Sequence, residues 1–332
     1  MRHNRPLAGE SFTMRDGERT IRFGEGLAAE APDLLAQSGF GKYALLTTER
    51  AEGSAPLDDR ATQVVHVPPG LVDEISGNLL PDLMEVPLVA LGGGRVIDTA
   101  KAIGGVTGLP VAALPTTLSG AELTPFHRTP AGVEGARMVR PSLVVADPLL
   151  MASQPATELA ASAMNALAHG MEALYTPLAN PVAERAALQG AELIATDEPA
   201  LGALLCGWAS GMTGFAVHHA TCQLLVRTAG SPHAQTNAVM LPHFARMMAG
   251  RVPGVMGELA SALGDPDGDP EAAAGRAAKL SARSGHTHLA TLGVEDEHLP
   301  HVAAAVMQHP ALANTPDPPD EEELLALLRD AL

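Results

Sequence analysis

Pro87-Leu-Val-Ala-Leu91 runs directly into Gly92-Gly93-Gly94-Arg95-Val-Ile-Asp98-Thr-Ala-Lys101, and the reading of this stretch decides the fold. A short apolar run bounded by Pro and Gly reads as a buried β-strand. The glycines make a tight turn, and a helix begins behind them. Such a passage offers backbone N–H groups and the positive end of a helix to an anion, and three glycines let a pyrophosphate come close. Arg95 is awkward at an isolated helix N-terminus but sensible beside an anion. The spacing is not Gly-x-Gly-x-x-Gly, which sets the loop apart from the ordinary Rossmann fingerprint.

The same rhythm extends outward from this stretch. Tyr43–Thr48, Gln63–Val67, Val111–Leu114 and Leu143–Ala146 also read as buried strands, most of them punctuated by Gly or Pro. Strands alternating with helix-like segments predict an α/β domain with a Rossmann-like parallel sheet over residues 1–150. A second hydroxyl-rich turn, Leu114-Pro-Thr116-Thr117-Leu-Ser119-Gly-Ala-Glu122, follows one of these strands and suits the phosphate and nicotinamide portions of a cofactor. Beyond Asp147-Pro148 the strand signal stops. Residues 151–332 are rich in Ala and Leu with helical periodicity, which predicts an all-helical domain. Two domains suit a chain of 332 residues.

Composition narrows the function. Aromatic residues are only 3% against 46% hydrophobic, so the core is built from Ala, Leu, Val and Met. A net charge of −17 argues against nucleic acid or an anionic membrane as partner, since both select a basic face. Cys206 and Cys222 make no disulfide framework and fit a reducing cytoplasm. Met1-Arg-His-Asn-Arg-Pro6 has no apolar run behind it, so no signal peptide is expected. No stretch reaches the roughly eighteen apolar residues of a membrane span.

The helical half carries the polar chemistry. Asn165 and His169 are four apart, which places both on one helix face, and His219 and His233 follow in the same half. Three imidazoles and an oxygen ligand suit a first-row divalent metal such as iron or zinc. The amide of Asn165 lacks the negative charge such an ion prefers. Without metal, His169, His219 and His233 become hydrogen-bond donors, and a protonated one adds positive charge for a carboxylate substrate and its carbonyl. His218 reads as a packing residue, and Trp208 with Met212 as a core contact.

Taken in order, Gly-Gly-Gly, Pro-Thr-Thr-x-Ser-Gly-x-Glu-x-Thr, Asp-Pro, Asn-Ala-Leu-Ala-His-x-x-Glu-Ala and His…Pro-His…Asn-Ala-x-x-Leu-Pro-His resemble the iron-containing alcohol dehydrogenase superfamily. They are most similar to its maleylacetate reductase branch. The resemblance covers nearly the whole chain. It implies a dinucleotide-binding domain followed by a helical domain, with hydride transfer between NAD or NADP and a small keto or hydroxy acid in the cleft between them, and a homodimer. It implies that Gly92, Gly93, Gly94, Asp98, Thr116, Thr117 and Ser119 hold the cofactor. Asn165, His169, His219 and His233 match the metal-ligand positions of relatives that use a divalent metal. The first of these is Asp in those relatives and Asn in the metal-independent reductases.

The chain departs from the family pattern at two places. Arg95 stands where relatives carry Ser, and Gln223 where they carry a His near the nicotinamide. At the end of the first strand, Glu49 points toward NAD and Arg50 toward NADP. Other readings on the same fold are a natural-product or peptide-tailoring dehydrogenase or oxidative decarboxylase, a dehydroquinate-synthase-like lyase, and a non-catalytic descendant.

Overall fold

The computed structural model describes residues 11–332, so the segment read for a signal peptide lies outside them. The chain divides into one unit ending at Gln154 and a second spanning Pro155–Leu332.

The first unit is a sheet of β1 (Phe12–Asp16), β2 (Arg19–Phe23), β3 (Tyr43–Thr47), β4 (Ala61–His66), β5 (Leu88–Gly92), β6 (Val111–Pro115) and β7 (Leu143–Ala146), in spatial order β1-β2-β7-β6-β5-β3-β4. Every pairing is parallel except β1 with β2. Helices α1 (Leu27–Gln37), α2 (Val72–Leu79) and α3 (Gly94–Thr107) connect the strands, and the short α4 (Pro148–Met151) follows β7. Side-chain alternation splits the core into two layers. Leu45, Val89, Leu91, Leu114 and Val145 pack with α1, while Ala44, Leu46, Leu88, Ala90 and Val111 pack with α3. Burial on both faces is why these strands read as unbroken apolar runs.

Two strand readings need correction. β4 is not fully buried: it lies at the sheet edge and alternates half-buried with exposed residues. The β1–β2 hairpin escaped the reading because β1 is short and mostly exposed. Its signal was Asp16-Gly17-Glu18, of which Gly17 and Glu18 form the two-residue turn and Gly17 takes a φ of +59°.

The second unit is helical: α5 (Ala156–Ala173), α6 (Pro181–Ala195), α7 (Pro199–Thr213), α8 (Val217–Ala229), α9 (His233–Arg251), α10 (Pro253–Ala262), α11 (Pro270–Ser281), α12 (Leu299–Val306) and α13 (Glu321–Asp330). Proline opens α6, α7, α10 and α11, where its missing N–H costs nothing and its fixed φ suits the first turn. Glycines let the helices approach closely. A Cβ on Gly170 or Gly190 would lie 2.7 or 2.6 Å from the Cys206 sulfur, and one on Gly202 would lie 2.7 Å from the Gly190 carbonyl. Small residues thus bring α5, α6 and α7 together where aromatics are scarce. Met212, read as a core residue, is 42% exposed near the end of α7. Among the described residues no single helix is long and apolar enough to cross a membrane.

Candidate active site

In the first unit the relevant groups lie at the carboxyl ends of the strands. The chain runs from β3 outward to β4, then returns to the other side of β3 to form β5 and continues to β6 and β7. The reversal leaves a switch point between β3 and β5, the place where open α/β sheets bind ligands. Thr47 Oγ1 donates to the Leu91 carbonyl at 2.9 Å and ties these two strand ends together. Glu49 and Arg50 follow β3 and are exposed.

The glycine loop after β5 fits closely against the hydroxyl loop after β6. A Cβ on Gly93 would sit 2.8 Å from Thr117 Cγ2, and one on Gly94 would sit 3.0 Å from Ser119 Oγ. Gly92 has no room either, with Val96 Cγ2 at 2.6 Å. The hydroxyl oxygens of Thr116 and Thr117 are hidden from solvent with no hydrogen-bond partner among the described residues. Buried hydroxyls left this way are costly unless a ligand engages them. Arg95, in the first turn of α3, forms no ion pair among the described residues, and partial burial lowers its pKa. Asp98 is occupied within the protein, because its Oδ1 accepts from Lys101 Nζ at 2.8 Å.

In the second unit, α5 carries Asn165, His169 and Glu172 on one face, and α8 presents His218 and His219. Asn165, His169 and His219 are all buried. The His169 and His219 rings stack 4.4 Å apart at 11°, with Phe215 against both. Glu172 organises the pair. Its Oε2 lies 2.6 Å from His219 Nδ1, and its Oε1 accepts the His219 backbone N–H at 3.2 Å. With the Nδ1 proton committed to the carboxylate, His219 Nε2 becomes a lone-pair site, and it has no partner among the described residues.

His233 is placed differently from the expected convergent ligand. It is exposed at the first position of α9, and its Nε2 faces Asn237 Nδ2 at 3.3 Å. Asn237 also donates to the His233 carbonyl at 2.8 Å, and its Oδ1 accepts from His218 Nε2 at 3.0 Å. His218 is thus part of a hydrogen-bonded network and more than packing.

Burial pushes His218 and His219 down to about 3, and holds His169 well below its usual value. The neighbouring imidazoles deepen the shift, His233 included. The cluster is therefore neutral near pH 7, and the positive charge expected of a protonated histidine is not supplied there. A stability profile follows. Each depressed histidine gains a proton on unfolding, so its contribution is present above about 6.5 and is lost as pH falls. Glu122 has the opposite sign: burial raises its carboxyl to about 7, so its contribution is present below its unfolded value and is lost as pH rises through 7. Between about pH 4.5 and 6.5 the buried His169, His218 and His219 outnumber the buried carboxyls of Glu122 and Glu172, which act with the opposite sign, so stability should rise with pH. Denaturant unfolding across this window checks it; a falling profile contradicts it.

The family model of the C-terminal domain of Fe-containing alcohol dehydrogenases matches residues 159–332. A maleylacetate reductase from Sphingobium indicum is 33% identical over 345 aligned positions, covering 94% of this chain and 95% of that protein. The chain belongs to the iron-containing alcohol dehydrogenase family. It is accordingly an enzyme of the oxidoreductase class. The crystal structure of a maleylacetate reductase from Agrobacterium tumefaciens matches at a TM-score of 0.81 and 28% identity, over 97% of each chain. A sulfoacetaldehyde reductase from Bifidobacterium kashiwanohense, solved with NAD+, matches at 0.79 over 96% and 98% of the two chains; at 22% identity it supports the fold alone.

The family's name implies iron, and the residues here do not fit it. Among the described residues no group of three or more His, Cys, Asp or Glu is placed to hold a metal ion. The amide of Asn165 brings no charge, and His233 is exposed with Nε2 turned to Asn237. The glycine and hydroxyl loops, by contrast, fit a dinucleotide, through the side-chain-free backbone at the glycines and the two unpartnered threonine hydroxyls.

Glu172 is the residue that motif reading quoted without giving it a role. Its signal was the spacing from His169, three positions along one helix. Its partner lies 47 positions away, and no local pattern points to it. Gln223 sits half-buried on α8, four residues after His219.

Proposed function

We propose that this enzyme is an NAD(P)-dependent, maleylacetate-reductase-like oxidoreductase acting on a small keto or hydroxy acid. The observation carrying the reading is the hidden, unpartnered pair of threonine hydroxyls beside the glycine loop at the sheet's switch point. A bound nicotinamide supplies or accepts the hydride. The backbone N–H groups opening α3 and the Thr116 and Thr117 hydroxyls hold the phosphates, with Arg95 adding charge beside them. Glu49 accepts from ribose hydroxyls if the cofactor is NAD, and Arg50 pairs with the 2′-phosphate if it is NADP.

His219 Nε2 accepts the proton of a substrate hydroxyl in the oxidising direction and passes it to water; in reduction it relays to the developing alkoxide a proton taken up from water, the resting ring being neutral. Glu172 holds the ring so that Nε2 is the free nitrogen, and it stabilises the charge that forms during transfer. His169 and Asn165 lie on the same face of α5. A proton shuttle at His219 also accounts for Gln223, since an amide cannot exchange a proton near neutral pH. A homodimer in a reducing cytoplasm belongs to the same reading; both cysteines are free and buried.

Calorimetric titration with NADH and NADPH tests it. Binding of at least one dinucleotide is expected, at a Kd on the order of micromolar and about −8 kcal/mol. If neither binds, the NAD(P)-dependent reading is wrong for this chain.

A further inference from the structure

Among the described residues Lys101 is the largest charged side chain that is fully buried, and the hydride chemistry makes no use of it. It sits two turns into α3, the helix that the glycine loop opens. Its ammonium has three protons and meets three oxygens: Asp98 Oδ1 at 2.8 Å, the Ala121 carbonyl at 2.8 Å and the Phe126 carbonyl at 2.6 Å. Two of these acceptors belong to the segment that continues from Thr116, Thr117 and Ser119. A second buried cation holds the same segment from another strand. Arg19, on β2, donates to the carbonyls of Glu122 and Leu123 at 3.3 and 3.2 Å, and is itself held by Asp16 at 2.7 and 2.9 Å.

Burying an ammonium costs several kcal/mol unless oxygens replace its water. A packed apolar side chain at this position would fill the space without that cost. What the lysine adds is a fixed distance between the helix of the first loop and the backbone of the second. The loops already touch where Gly93 meets Thr117 and Gly94 meets Ser119, so a shift of segment 119–126 moves the hydroxyls against the glycines.

We propose that Lys101 is a positioning residue for the dinucleotide, a strut that holds the two nucleotide loops as one preformed cradle. This rests on the reading of those loops as the cofactor site. The strut lowers the ordering cost of binding, because the hydroxyls and the α3 amides are already in place before the phosphates arrive.

The test compares the intact wild-type chain with Lys101→Met by titration with NADH and NADPH, by steady-state kinetics, and by amide hydrogen exchange. For whichever dinucleotide the wild type binds, Lys101→Met should bind about ten- to a hundredfold more weakly. The KM for that dinucleotide should rise in parallel, while kcat at saturating cofactor stays within about threefold. Exchange should quicken in peptides covering 116–126, with helices α5, α8 and α9 unchanged. Affinity within about twofold of wild type, or exchange that quickens evenly over the whole chain, overturns the proposal. If Lys101→Met does not fold, Asp98→Asn serves in its place. It keeps an acceptor and removes the anion, and a several-fold loss of dinucleotide affinity is expected; unchanged affinity overturns the strut. A wild type that binds neither dinucleotide overturns both this proposal and the reading beneath it, whereas a binding wild type with an unaffected variant overturns the strut alone.

Discussion

His219→Ala should lower kcat by about a hundred- to ten-thousandfold, the usual worth of a positioned proton donor and acceptor. Dinucleotide affinity should change little, since His219 lies on α8 and the nucleotide loops follow β5 and β6. The variant also leaves the Glu172 carboxylate buried without its 2.6 Å partner. That carboxyl then takes up a proton more readily, because burial already raises its pKa, and a moderate loss of about 1–3 kcal/mol in stability accompanies the catalytic defect. Glu172→Gln separates the two effects. The glutamine amide can still hydrogen-bond Nδ1, but it no longer stabilises a charged imidazole. An intermediate loss in kcat is expected, with the pH profile displaced. Single-turnover hydride transfer, followed by nicotinamide absorbance, provides the measurement. A His219→Ala enzyme that turned over at the wild-type rate would move the proton chemistry elsewhere.

Gly93→Val should abolish tight dinucleotide binding. Gly93 has φ −79° and ψ −173°, an extended conformation that any residue adopts, so the backbone itself tolerates the substitution. The obstacle is contact: the first added carbon would lie 2.8 Å from Thr117 Cγ2 and 3.2 Å from Thr117 Oγ1. The loops must part, and a displacement on the order of 1 Å at a binding constellation typically costs about a hundredfold. NADH fluorescence titration reports the loss, and circular dichroism checks that the variant remains folded. Binding as tight as wild type would show that these two loops are not the nucleotide cradle.

The central strands were legible because both of their faces are buried, which produces continuous apolar runs such as Leu88–Leu91 and Leu143–Ala146. β4 has one exposed face and was therefore read too simply, and the β1–β2 hairpin gave only a turn signal. The site shows the same division. Asn165 and His169 share a helix face by spacing alone, but the stacking of His169 on His219 depends on how α5 meets α8. The exposure of His233 depends on where α9 begins. Asp98 meets Lys101 three residues on, but that the same lysine also reaches the next loop depends on how α3 packs against it.

By itself, the sequence determined the α/β rhythm, the helical second half, the glycine and hydroxyl turns that follow two of the strands, and the family, because these depend on periodicity and on contiguous motifs. Only the tertiary structure decided which histidine nitrogen is free, that Glu172 sets it, and that the imidazoles are neutral near pH 7. Those properties arise from burial and from contacts between residues far apart in the chain, and no short stretch of sequence encodes a dielectric environment or a distance across helices.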